Sequence, residues 1–324
     1  MRTPGLFRRS LGNALQWRLL FLWWVSLLIP GTGAVSPPAL FLDSNLAHST
    51  RAREVIAAID GSTTVELFRQ LIEPDRIRSI SMGLGAALLA LLLIGPAMAG
   101  ATVAAAAADD ERLPLRQLLA GAGDFYGRML RAFIAGLVPL GIGSAIAWAI
   151  LKAISKANQR ATWETVAHAR IGIGILAGAL SVFLFHTIVD AARAHFAADP
   201  WRRSAVLALW AALRLLVRRP LRLLALGALG SGTAFLIAAL LMAVRLQVNQ
   251  DDVWSISLAW LLAQGACLGI GWGRGIRIFG FVELVRADAA DRARGRRPRV
   301  QSPVDASEHG LAQQGSTGSR MARS

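Results

Sequence analysis

Five stretches of this chain, residues 79–108, 132–151, 171–189, 223–244 and 253–273, run without a charged side chain. At about 1.5 Å of rise per residue, a helix of about twenty residues crosses a hydrocarbon layer ~30 Å thick. Hydrocarbon offers no water to backbone N–H and C=O groups, so runs of this kind have to satisfy them internally, as helices. The fold class read from this is all-α, a polytopic transmembrane helix bundle. Composition agrees, since 54% of the residues are apolar and 17% are charged, the balance of a chain that lives in lipid.

A sixth segment precedes these. Arg8, Arg9 and Arg18 come before a short apolar core at 19–29, and small residues follow near Ala34, the parts of a signal peptide. Trp17, Trp23 and Trp24 suit an interfacial aromatic belt instead, and the uncharged stretch continues through Pro30, Pro37 and Pro38 to Leu42, which favours an uncleaved first helix. The expected layout is a cytoplasmic segment over 1–18 and a six-helix membrane domain over 19–285. Its spans fall near 17–34, 80–106, 130–152, 170–190, 221–245 and 253–275, with an external loop over 35–78. A basic tail, 286–324, has too few apolar residues to bury and is expected to be disordered.

Six spans divide the 35 Lys and Arg residues unevenly, 25 on the side of the N-terminus and 10 on the other. The excess of positive charge marks the cytoplasmic side, which puts both termini there. Most of the +15 net charge then flanks apolar spans, where each Lys or Arg gains ~1 kcal/mol from anionic lipid headgroups. The bilayer and its anionic headgroups are the expected partners, and nucleic acid is not. The single cysteine, Cys267, lies inside an apolar run, so neither an intrachain disulfide nor a cysteine metal cluster can form.

Within the external loop, Val55, Ile56 and Ile59, then Val65, Leu67, Leu71 and Ile72, are spaced for two short amphipathic helices separated at Gly61. Pro96 falls mid-span, where it removes a backbone hydrogen bond and is expected to kink the helix. Residues 199–218 predict an amphipathic helix capped by Asp199 with Pro200 at its first position, ended near Arg218 by Pro220. Arg203, Arg214, Arg218 and Arg222 share about one 100° sector, while Val206, Leu209, Leu213 and Val217 lie on other faces. Only ten uncharged residues separate Arg203 from Arg214, too few to cross. The helix is therefore expected along the inner leaflet, with Arg202, Arg203, Arg214, Arg218, Arg219 and Arg222 at lipid phosphates.

The run "GACLGIGWGRG" at 265–275 has alternating glycines, but a dinucleotide-binding loop follows a strand and opens a helix, whereas these lie at the end of an apolar span. Gly265, Gly269 and Gly273 repeat every four residues, Gly271 and Gly275 form a parallel row, and Gly174 and Gly178 repeat the spacing. That register predicts close helix packing in lipid. Trp254 and Trp272 would mark the two interfaces of the last span.

Candidate chemistry is sparse. His186 and Asp190 lie one turn apart near the cytoplasmic end of the fourth span, with Arg193 following. They predict a small polar cluster of the ion-pair kind common at helix ends, with too few ligands for a metal. Asp124 with Arg128, and Glu164 with His168, read as surface pairs, and Tyr126, Arg128 and Arg131 as interface anchors. No Gly-x-Ser-x-Gly, His-Glu-x-x-His or phosphate-loop lysine occurs, so catalysis is disfavoured and no cofactor is expected.

The helix-ending "VDAAR" at 189–193, the "RRSAVLALWAALRLLVRRP" at 202–220 and the "FYGRMLRAF" at 125–133 together resemble a loose group of bacterial six-helix integral membrane proteins with no assigned activity. In that group a comparable Asp and Arg end one span, and a basic cytoplasmic helix leads through Arg-Arg-Pro into the next. The resemblance implies the fold and a bacterial inner-membrane location, and carries over no functional residues. The function expected is that of a non-catalytic scaffold or accessory subunit, packing against a membrane-protein partner or further copies of itself. The alternative is a permease-like transport component energised by a separate ATPase, with the 199–218 helix as the coupling element.

Overall fold

The structure is a computed structural model that describes residues 3–46, 74–108, 112–159, 163–199, 201–248 and 252–296. Among these residues all regular structure is helical: α1 (Thr3–Ala14), α2 (Trp17–Leu46), α3 (Pro74–Ala107), α4 (Leu115–Asn158), α5 (Glu164–Ala198), α6 (Ala205–Arg218), α7 (Pro220–Leu246) and α8 (Val253–Arg296). Six of them, α2, α3, α4, α5, α7 and α8, are long and apolar enough to cross a membrane.

Several helices outrun the stretches that predict them. The span expected at 130–152 is only the apolar middle of the 44-residue α4. Likewise α2 continues past residue 34 to Leu46, and α8 past 275 to Arg296. A charge-free run marks where hydrocarbon can be, whereas a helix persists as long as its residues favour it, and Ala, Leu and Arg all do. The two short helices expected in the external loop fall mostly on residues 47–73, outside the described residues. Pro96 lies within an uninterrupted α3, as Pro139 does within α4.

The start of α6 differs from expectation. Asp199 does not cap it; Ser204 does, its hydroxyl accepting from the Leu207 N–H at 3.3 Å. Asp199 closes α5 instead, its carboxylate accepting from the Trp201 N–H at 3.2 Å and pairing with Arg202 at 3.5 Å. Starting at Ala205 places Ala205, Ala208, Ala212 and Leu215 on one buried stripe, and α6 packs by it onto α4 and α5. Small side chains on that stripe let the backbones come close. Its end at Arg218, with Pro220 opening α7 where a missing N–H has no partner to lose, follows expectation.

The described residues fall into two units, one up to Val285 and one from Arg286. In the first, the interior is built largely from small side chains around a few large ones. Ala101, Val103 and Ala105 of α3 and Ala191, Ala192 and Ala194 of α5 are buried along with Met129, Phe196 and Phe281. Large apolar side chains such as Leu88, Trp148 and Trp254 face outward, as expected of a surface that meets lipid. The second unit, expected to be disordered from its start, is helical as far as Arg296. Arg292 pairs with Asp288 at 3.2 Å and Arg294 with Asp291 at 3.5 Å, spacings that stabilise an exposed helix.

Candidate functional site

The apolar run of α5 ends at Val189 and that of α8 at Gly273, and just beyond them Asp190 of α5 meets Arg277 of α8. Asp190 is buried, its side chain 3% exposed, and its Oδ1 accepts from Arg193 Nη1 at 2.8 Å. Arg277 of α8 reaches the other oxygen, with Nη2 at 3.1 Å from Oδ2. Arg277 Nη1 donates to Ser231 Oγ of α7 at 3.1 Å and lies 3.1 Å from His186 Nδ1. A guanidinium can only donate, so Nδ1 accepts and the ring carries its proton on Nε2. Nδ1 lies 3.4 Å from Asp190 Oδ2, two acceptors brought side by side by the one guanidinium that donates to both. His186, Asp190 and Arg193 thus come together as the sequence spacing suggests, but their main partner is on another helix.

Arg277 gets there through a gap. A Cβ on Gly230 of α7 would stand 2.5 Å from Arg277 Cγ, so the absent side chain is the space the arginine stem occupies. One turn earlier, Arg274 lies with its guanidinium 5.0 Å from the centre of the Trp23 ring, a cation–π contact. It makes no hydrogen bond or ion pair among the described residues. Trp23 is itself fixed: its indole N–H donates to Thr102 Oγ1 of α3 at 3.2 Å, and its Cβ fills the space beside Gly271. Arg193 and Arg277 therefore share the Asp190 carboxylate, and Arg274 stands beside them against the Trp23 ring.

A cavity of about 680 Å³ opens beside this cluster. Leu88, Leu89 and Leu92 of α3 and Phe133 of α4 supply its apolar wall, and Asp190, Arg193 and Arg274 its polar end.

The glycine rows point at neighbouring helices. Gly265 and Gly269 face α7, where an added Cβ would stand 3.1 Å from Leu241 and 2.7 Å from Ile237, and one on Gly273 would strike Ala234. On α5, a Cβ at Gly178 would meet Ala147 of α4 at 3.3 Å, and one at Gly174 would strike Ile154. Trp24 Nε1 donates to Gln264 Oε1 at 2.7 Å, a further tie between α2 and α8.

The arginines predicted for lipid contact do not form one group. Arg203, Arg214, Arg218 and Arg222 are exposed, Arg214 lying over the Trp210 ring at 5.4 Å. Arg202 turns back onto its own segment, donating to Leu207 O at 3.2 Å, and Arg219 is half-buried. Asp124 and His168 are exposed, and Arg128 lies 5.0 Å from the Phe125 ring.

Sequence reasoning missed Arg274, Arg277, Ser231 and the Trp23–Thr102 pair. The one available signal was the spacing of Arg274 and Arg277, one turn apart directly after an apolar run, which reads equally well as the start of a cytoplasmic segment. The class defined by this fold and site is a multi-pass helical membrane protein with a buried arginine–aspartate cluster. No family model matches the chain, and no curated protein or solved structure matches it.

Proposed function

We propose that this chain is a non-catalytic bacterial inner-membrane protein, a scaffold or accessory subunit, with both termini in the cytoplasm and α6 lying along the inner leaflet. The observation that carries the reading is the use made of Asp190. Its carboxylate is shared by Arg193 and Arg277, and Arg277 reaches on to Ser231 and His186, so the strongest polar groups tie α5, α7 and α8 together. A buried charge network of this kind adds little net stability and serves to specify one packing over others. The close contacts along Gly265, Gly269 and Gly273 support the same use of the bundle. The fit of Trp23 beside Gly271 supports retention of α2 as a span. On α6 the alanine stripe faces inward and leaves Val206, Leu207, Trp210 and Val217 outward, beside Arg203 and Arg214. That mixture suits an interface where apolar groups enter the acyl region and arginines meet phosphate.

The same outward face supports a second reading, a permease-like subunit whose short inner helix couples to a separate ATPase. Affinity purification of the full chain from native membranes separates the two. Recovery with a stoichiometric ATPase replaces the scaffold reading; recovery with other integral membrane proteins, or with further copies of itself, supports it.

A further inference from the structure

We infer that the cavity beside Arg274 holds one anionic phospholipid from the surrounding leaflet, its phosphate between Arg274 and Arg193 and an acyl chain along Leu88, Leu89 and Leu92. The inference needs only that the bundle sits in a bilayer and is independent of the scaffold reading.

Charge is the first argument. Arg193 and Arg277 share one carboxylate and Arg274 stands beside them without an ion pair among the described residues, so the cluster holds three guanidinium groups for one anion. Charges within membrane helices are paired or face a water-filled cavity, because an unpaired one is costly in hydrocarbon. Arg274 has only the Trp23 ring against it, and the buried Arg193 Nε lacks a hydrogen-bond partner. Both residues line the cavity. Guanidinium donors form a planar fork that matches two phosphate oxygens at once.

Shape is the second argument. The cavity, about 680 Å³, is within the range of roughly 300–1,000 Å³ typical of ligand sites. Its apolar wall continues to the outside of the bundle, where Leu88 is 66% and Leu89 57% exposed. A chain can enter sideways from the lipid there while its headgroup reaches the arginines. A small soluble anion would satisfy the charge and leave the leucine wall unused.

The test uses the full chain, purified and exchanged into defined lipid, with bound lipid read by native mass spectrometry. Phosphatidylglycerol and phosphatidylcholine carrying the same acyl chains are compared, and one retained phosphatidylglycerol per chain is expected, preferred by about tenfold or more. Arg274→Gln should lower retention about tenfold, Arg274→Lys should restore part of it, and Arg170→Gln, exposed near the start of α5 and away from the cavity, should leave it unchanged. Gly95→Leu provides a second arm that leaves the charges in place. A Cβ at Gly95 meets nothing within 4 Å, so the new side chain has room in the cavity and should expel the lipid from a folded protein. Equal retention of the two lipids, or retention that survives Gly95→Leu, overturns the inference. Displacement by excess inorganic phosphate also overturns it, reassigning the site to a soluble anion.

Discussion

Asp190 is the residue whose loss should be felt most widely. Replacing it with Asn removes the one carboxylate facing Arg193 and Arg277, and breaking a buried ion pair from one side destabilises by about 3–5 kcal/mol. Asp190→Asn should therefore lower the thermal midpoint in detergent strongly. Adding Arg277→Met should recover part of that loss, because the second substitution removes a charge the first left unpaired; a double-mutant cycle with additive effects would contradict this. A milder case is the cap of α8. The Asp252 carboxylate accepts from the Ser255 N–H at 2.8 Å, and the Ser255 hydrogen bonds hold its pKa below the ordinary aspartate value. A carboxylate so lowered supports the folded turn at pH above its unfolded value, and the support is lost as pH falls through the lowered value. Protection of the Ser255 and Ile256 amides, measured against their intrinsic exchange rates at each pH, should accordingly be high near neutrality and fall below the usual carboxylate range. Asp190 and its two helix neighbours were legible from spacing alone, since three and four residues make one helical turn. Arg277 was not, because nothing local says which of two arginines one turn apart turns inward.

At the scale of the element, packing decides what a glycine is for. Gly269→Leu should destabilise the bundle, since even a Cβ there would lie 2.7 Å from Ile237, whereas Gly141→Ala, where a Cβ meets nothing within 4 Å, should stabilise it by up to about 1 kcal/mol through helix propensity alone. Thermal melts of the two variants in the same detergent check the pair, and equal shifts would remove the packing argument. The four-residue repeat was readable beforehand; that it meets α7 was not. The start of α6 makes the same point. Asp199 and Ser204 are both good capping residues, and only the demand that Ala205, Ala208, Ala212 and Leu215 face α4 and α5 selects the serine. Ser204→Ala should cost that helix about 1 kcal/mol, seen as faster amide exchange at Leu207.

For the whole molecule, the uneven division of Lys and Arg predicts orientation. Reporter fusions at Arg219 and at the C-terminus should be active on the cytoplasmic side, and fusions at Gln159 and Gln247 on the other. A C-terminal reporter active outside would reverse the proposed inner and outer faces, and with them the placement of α6. The argument rests on where arginines fall between apolar runs and is independent of how the runs pack.

The approximate position of the long apolar helices among the described residues followed from the sequence by itself, because in hydrocarbon a backbone must satisfy its own hydrogen bonds and the length of a charge-free run measures what can cross. How Lys and Arg divide between alternate segments is likewise a count made on the sequence. The tertiary structure alone decided that Arg274 stacks on Trp23, that Arg277 passes Gly230 to reach Asp190, and that a cavity remains beside them. Those contacts join residues far apart in the chain, and the side on which a charged side chain finds its partner depends on which helices stand next to each other, which local spacing does not encode.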